Sequence, residues 1–346
     1  MGLTIIDPGI LSTIQDLGRT AYLDAGFSPS GALDSFSARL ANFLAGNSPG
    51  EAVIEMTMQG ASMVFDSPAV AALTGAEMTP LLNGKPIGMN RAFSVVPGDI
   101  LYTSFAQRGM RSYLAVSGGF DIAEILGSRS TNLRARIGGF KGRKLETKDA
   151  INFRRVIPGI HSKTRPGLEE RVFVPTPILQ GTVSYPYTRD NPLVLRVVEG
   201  KKAADGSSPF FTHEGVNTFY HSLYTIASSS DRMGIRLEGP AISSHNGTDI
   251  VSDGISNGAI QIPGSGKPII LLNDRQTIGG YAKIGTVITG DIWLLAQAVP
   301  GSVLRFERID PLRAEKIYIK TERAIARLQS RFTIRTDYGI CKTTSS

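Results

Sequence analysis

One cysteine, Cys341, and one tryptophan stand among 346 residues. A lone thiol can neither close a disulfide within the chain nor build a cysteine-based metal site, so an apolar core has to supply the stability. Histidine is scarce too. His161, His213, His221 and His245 show no H-E-x-x-H spacing, and no metal site is expected from them. No apolar run approaches the ~18 residues of a membrane-spanning helix. Residues 1–9 carry no basic segment followed by an apolar stretch, and Ile6 stands where a myristoylation motif wants Ser or Thr. These absences lead us to expect a cytoplasmic protein with no membrane partner.

Charge is unevenly spread. The formal net charge is +7, yet residues 301–346 hold ten Lys or Arg against five Asp or Glu, which leaves the body near neutral. No stacking stripe of aromatic residues interleaves with that basic tail, as RNA-binding sheets require. A solvated helix face, not a nucleic-acid partner, is the expectation there. A hydrophobic content of 41% and a mean hydropathy of -0.01 describe a globular chain, and its length suggests two domains.

Residues 3–13 read as strand, Pro8-Gly9 turn and strand, followed by the polar run Gln15-Asp16-Leu17-Gly18-Arg19. Leu33, Phe36, Leu40, Phe43 and Leu44 fall on one face of a 3.6-residue period, which predicts a helix ending at Gly46. From Val53 onward the pattern is short strands separated by Asn83-Gly84, Pro97-Gly98 and Gly118-Gly119, as in a barrel or sandwich. A second polar loop, residues 127–132, follows. Pro158, Pro166, Pro175, Pro177, Pro186 and Pro192 then crowd one irregular stretch.

We therefore expect a β domain over residues 1–155 and a proline-rich linker over 156–192. A second β domain over 193–310, a helix over 311–331 and a flexible tail over 332–346 would complete the chain. The halves echo one another, since Val96-Pro97-Gly98-Asp99-Ile100-Leu101 resembles Val299-Pro300-Gly301-Ser302-Val303-Leu304.

Two familiar motifs are counterfeit. Gly254-Ile255-Ser256-Asn257-Gly258 spells a G-x-S-x-G nucleophile elbow, but a strand pattern follows where a helix is required. Gly264-Ser265-Gly266-Lys267 looks like part of a phosphate loop, yet Pro268 replaces its Ser or Thr, and a hairpin turn is expected. No Met-Lys-Met biotin acceptor appears, so any biotin or ATP chemistry would need another chain.

The chemistry concentrates in residues 271–284. About ten mostly polar residues separate two strand-like runs there, more than the two to five of an ordinary hairpin. Asp274 offers a proton acceptor, Arg275 a fork for a carboxylate or phosphate, Gln276 an amide reader and Lys283 a mobile charge. Gly279 and Gly280 let backbone approach a ligand. A second cluster, Ser230-Asp231-Arg232-Met233-Gly234 with Asp253 and Gln261, flanks neighbouring strands, so the two clusters can converge on one mouth. The plain alternative is a salt-bridged network that only holds turns together.

Residues 230–239, 258–263 and 274–281, with the N-terminal blocks Gln15-Asp16-Leu17-Gly18-Arg19, Ser30-Gly31-Ala32-Leu33-Asp34 and Leu126-Gly127-Ser128-Arg129-Ser130-Thr131, resemble one family. It is the family of the 5-oxoprolinase C-type subunits, also called KipA-like or allophanate hydrolase subunit 2, related to the carboxyltransferase region of urea carboxylase. The likeness runs from about residue 3 to 308, with Ile278 where a second Thr is common.

The resemblance implies a mainly β fold of two cyclophilin-like β-barrel domains with a few helices. It further implies A-like and B-like (KipI-like) protein partners, and ATP-dependent opening of 5-oxoproline to glutamate. On that footing Asp274 is the expected acid or base, and Arg275 and Lys283 stabilise charge. Arg232 grips the substrate carboxylate, and Gln261, Gln276, Thr277, Gly279, Gly280 and Tyr281 line the substrate. The alternatives are a carboxyltransferase subunit for a urea-like amide with biotin carried elsewhere, and a regulator that binds a KipI-like kinase inhibitor.

Overall fold

The computed structural model describes residues 1–155 and 188–332. The fold is mainly β, as expected. The first half contains β1 (Gly2–Asp7), β2 (Leu11–Gln15), β3 (Val53–Thr57), β4 (Ser62–Phe65), β5 (Ala69–Glu77), β6 (Leu81–Leu82), β7 (Lys85–Pro86), β8 (Arg91–Val95), β9 (Ile100–Tyr102), β10 (Arg108–Val116) and β11 (Ala150–Asn152). They form two sheets, ordered β11-β1-β4-β9-β6-β7 and β2-β3-β10-β5-β8, around one core. Strand alternation decides which side chains enter it. In β3, Ile54 and Met56 join Leu3, Phe65 and Leu73 inside, whereas Val53 packs on the opposite side with the first helix.

That helix, α1 (Ser35–Ala45), is the one the periodicity predicts. Asp34 caps it by accepting the Ser37 N–H at 2.9 Å, and Gly46 ends it at φ 81°, a left-handed conformation that suits glycine. Ala38, Leu40, Ala41 and Leu44 are buried against Val53, Ala72, Tyr113 and Ala115.

The second half adds β12 (Leu193–Glu199), α2 (His213–His221), β13 (Tyr224–Ile226), β14 (Gly234–Glu238), β15 (Asp249–Gly254), β16 (Ala259–Gln261) and β17 (Ile269–Leu271). It continues through β18 (Ile278–Tyr281), β19 (Lys283–Val287), α3 (Thr289–Gln297), β20 (Val303–Arg308) and α4 (Pro311–Phe332). Seven strands close a barrel in the order β12-β19-β16-β17-β14-β13-β20, sealed by parallel pairing of β12 with β20. Leu195, Leu237, Ile260 and Ile270 fill it, and the Phe219 and Phe306 rings stack at 4.3 Å.

The polar stretch read as one long loop is divided. Residues 272–277 turn, and β18 then pairs with β15 in a two-stranded ribbon, with Gly279 opposite Asp253. Gly279 is needed there, because a Cβ would lie 2.6 Å from Ile255 Cδ1 and 2.8 Å from the Gln261 amide nitrogen. The short helices α2 and α3 go beyond what the sequence pattern predicts. α2 starts at Thr212, whose hydroxyl accepts the Gly215 N–H. α3 is apolar on most sides and buries Ile292, Leu294 and Leu295.

Both counterfeit motifs resolve as expected. Gly254 ends β15 and Ala259 begins β16 with no helix following, and residues 264–267 connect the antiparallel pair β16 and β17. The echoed turns coincide as well. Gly98 and Gly301 take φ 91° and 86°, and the Asp99 and Ser302 N–H groups donate back to the Val96 and Val299 carbonyls at 3.0 Å.

Pro158, Pro166, Pro175, Pro177, Pro186 and His161 lie outside the described residues, as do Cys341 and the tail from 333. No helix among the described residues is long and apolar enough to cross a membrane.

Candidate functional site

The two halves meet over a buried charge network centred on Arg232 and Asp274. The turn after β17 carries Asp274, and the turn before β14 carries Arg232, so the antiparallel pairing of β14 with β17 sets the two side by side. Arg232 donates through Nε at 2.9 Å and Nη2 at 3.1 Å to the two carboxylate oxygens of Asp274. Its Nη1 pairs with Glu55 of β3, and Nη2 also reaches the Gly31 carbonyl at 2.8 Å.

Glu55 is 1% exposed and Arg232 5% exposed, so water offers little compensation and the partners must. Burial alone would drive the Arg232 pKa down, but Asp274 and Glu55 more than offset it, and the net shift is upward. Glu55 also accepts the Leu33 N–H and the Tyr113 hydroxyl, both at 2.9 Å. Burial, together with Glu55 and Asp34, pushes the Tyr113 phenol well up, which keeps it a donor.

The network continues to a groove. The Tyr113 hydroxyl accepts the Asp34 N–H at 2.8 Å. Gln297, at the end of α3, donates to Asp34 at 2.8 Å and accepts from Met110 and Arg111 of β10 at 2.9 and 3.0 Å. Burial raises the Asp34 pKa against the hydrogen bonds that favour its anion. Asp34, Ser37, Trp293 and Gln297 line a groove of about 510 Å³ between the halves.

On its other side the network meets the two N-terminal polar segments, which fold against each other. Asp16 accepts from the Ser128 hydroxyl at 2.7 Å, the Ser130 hydroxyl at 2.5 Å and the Arg129 N–H at 2.6 Å. Ser28 donates to the Arg275 carbonyl at 2.6 Å, and the Ser30 N–H to the Asn273 carbonyl at 3.0 Å. Arg19 is 1% exposed. It gives Nη2 to the Ser130 carbonyl, while its Nε and Nη1 and the Ser30 hydroxyl have no partner among the described residues. Burial lowers the Arg19 pKa, with Asp16 and Asp274 opposing. Orphaned buried donors of this kind are rare and call for a water or another polar group beyond the described residues.

The sequence-derived residues therefore separate. Arg232 is saturated by Asp274, Glu55 and Gly31 and has no fork left for a substrate carboxylate. Arg275 is buried and donates to the carbonyls of Ile255 at 3.0 Å and Leu272 at 3.2 Å, and burial lowers its pKa. Gln276 is exposed and Thr277 half-buried on the turn. Gly279, Gly280 and Tyr281 belong to the ribbon, and buried Gln261 supports it by donating to the Tyr281 carbonyl at 3.4 Å. Lys283 lies apart from Asp274, donating to Asp253 at 2.6 Å and to the Gly254 carbonyl at 2.8 Å. The two sequence clusters thus converge twice, as Arg232 with Asp274 and as Lys283 with Asp253.

Glu55, Arg19, Asp34, Tyr113 and Gln297 belong to the site; Arg19 and Asp34 fall in blocks that carry the family resemblance but are given no role by it, and Glu55 and Gln297 fall in none. A charge inside the apolar strand Val-Ile-Glu-Met-Thr is the available signal for Glu55.

The carboxyltransferase domain family, subdomains A and B, matches residues 25–308. The C-type subunit of 5-oxoprolinase from Haemophilus influenzae is 33% identical over 321 residues, which are 92% of this chain and 95% of that protein. Its Escherichia coli counterpart is 32% identical, over 88% of this chain and 90% of that protein. Among solved structures, the urea amidolyase of K. lactis superposes with a TM-score of 0.83 at 28% identity, over 94% of this chain and 20% of that one.

Proposed function

We propose, from the premise that the chain belongs to the carboxyltransferase domain family of subdomains A and B, that it is the C-type subunit of an ATP-dependent 5-oxoprolinase. The observation that carries this reading is coverage. The chain spans nearly the whole length of two proteins named as C-type subunits of 5-oxoprolinase, but a fifth of a urea amidolyase. In this reading A-like and B-like proteins complete a cytoplasmic enzyme that hydrolyses the lactam of 5-oxo-L-proline to L-glutamate.

Opening the lactam breaks the ring C–N bond and adds water across it, so negative charge develops on the carbonyl oxygen and the nitrogen takes up a proton. Preorganised donors in a dry site lower that barrier most. Arg232, Asp274 and Glu55 act as positioning residues that fix the two halves. Arg19, with two unpartnered nitrogens and Ser30 beside it, anchors the anionic part of the substrate. Arg275 supplies positive charge from the buried turn, and Gln276 and Thr277 form its outer rim.

The test is reconstitution with the A-like and B-like proteins of the same source. ATP-dependent glutamate release is measured with each protein omitted in turn. Loss of release when this chain alone is missing is the expected result, and undiminished release without it would overturn the reading.

The likeness to the urea amidolyase structure supports a second reading, a carboxyltransferase subunit for a urea-like amide served by biotin on a partner. It predicts a biotinylated protein in the co-purified complex, detected by avidin blotting.

A further inference from the structure

A second hollow, of about 510 Å³, opens beside the first turn of α2, and neither Asp274 nor Arg232 takes part in it. Four cations line it, Lys201, Lys202, Lys283 and Arg308, against the single carboxylate of Glu199. Glu199 is shared by Lys202 at 2.7 Å and Arg308 at 2.9 Å, and Lys283 leans on Asp253 in the neighbouring ribbon. Lys201 makes no ion pair within 4 Å among the described residues, although Asp253 lies within its electrostatic reach.

His213, in the first turn of α2, and His245 add two imidazoles, and Val216 and Tyr220 of the same helix face line the hollow with His213. The hollow contains an independent sign of an absent acceptor. The Tyr220 hydroxyl is buried beside the Arg308 guanidinium, which lies 4.2 Å from the ring centroid and can only donate, so the phenol O–H has no acceptor among the described residues. Burial pushes that phenol upward, so it stays a donor.

We propose that this hollow binds a phosphate-bearing small molecule. A monocarboxylate would engage few of these donors, whereas a phosphate presents several oxygens to lysines, imidazoles and the Tyr220 hydroxyl together. The floor suits an attached organic group, being lined by Val216 and Ile284. Lys201 and Lys283 also line an adjoining hollow of about 700 Å³ along β15, where Asp249 and Asp253 suit a donor-bearing organic group and not a second phosphate. The proposal does not rest on the oxoprolinase reading, since binding is measured on this chain without partners.

Isothermal titration of the intact chain with ATP, ADP, pyrophosphate and inorganic phosphate tests it, with glutamate as the carboxylate control. The expected result is one-to-one binding of at least one phosphate compound. Lys201→Glu should weaken it by about tenfold, or ~1.4 kcal/mol. Tyr220→Phe, which keeps the ring, should weaken it several-fold, and both variants should melt with the parent.

Tighter binding of ADP than of inorganic phosphate would show that the organic group is read, and equal binding that the phosphate alone is. No binding of any phosphate compound, glutamate binding as tight as ADP, or affinity untouched by Lys201→Glu would overturn the proposal.

Discussion

Replacing Asp274 by Asn separates the two roles that its place in the sequence suggests. The change keeps the shape but removes a charge facing Arg232 at 2.9 and 3.1 Å, in a setting where Asp274 is 7% exposed. Arg232 would then depend on Glu55, which Arg111 also approaches at 3.9 Å. Removing one partner of a buried ion pair costs about 3–5 kcal/mol, because the other charge stays buried. At roughly 2–4 °C per kcal/mol, the unfolding transition should fall by about 6–20 °C.

Lys283→Ala is the matched control. Its pair with Asp253 is exposed, with side-chain exposures of 21% and 65%, so its loss should cost about 0–1 kcal/mol. Differential scanning calorimetry of both variants, with Arg232→Gln and the Arg232→Gln/Asp274→Asn double variant, closes the cycle. The double variant should lose less than the sum of the singles. Asp274→Asn melting within about 1 kcal/mol of the parent would refute the structural role, and additive losses would refute the pairing.

Three further outcomes follow from geometry. Tyr224→Phe should be neutral or mildly stabilising in a urea melt, because the hydroxyl it removes is buried without a partner among the described residues and burial has pushed it up to about 12. Gly75→Ala should cost about 1–3 kcal/mol from its φ of 90° alone. It should cost more from a Cβ placed 2.4 Å from the Arg111 carbonyl, and a melting curve like the parent's would contradict it. Burial by itself raises the Asp149 carboxyl, but two bonds from Arg143 at 2.6 and 2.7 Å and one from the Glu146 N–H leave it below 3.8. With the folded pKa the lower one, its stabilisation is present above pH 3.8 and is lost as pH falls through the folded value. Asp149→Asn should flatten that part of the stability curve.

Much of this architecture is legible in the sequence because local physics suffices. α1 announces itself through Phe36, Leu40, Phe43 and Leu44 at helical spacing and a glycine at its end, while Leu33 of the same pattern falls before the cap and packs with the barrel core. The strands announce themselves through alternation between turn dipeptides. The ribbon strand β18 is hidden because Gly279-Gly280 reads as a turn, and only its pairing with β15 makes it a strand. α3 is hidden because its apolar residues surround it and leave no periodic stripe. The pairing of Arg232 with Asp274 is within reach, since both flank adjacent strands. Their use is not, because Glu55, which saturates Arg232, lies 177 residues away and no local pattern links them.

That separation has a consequence for how the chain is made. Glu55 leaves the ribosome long before Arg232 and Asp274, and at 5–20 residues per second the interval is on the order of ten to forty seconds. Until then the Glu55 carboxylate has only Arg111 of its own half nearby, at 3.9 Å, and lacks the closely paired guanidinium of Arg232. The first half can collapse around its own core, but docking has to wait for the second. Synthesis arrested near residue 155 would leave the face around Glu55 without the half that covers it.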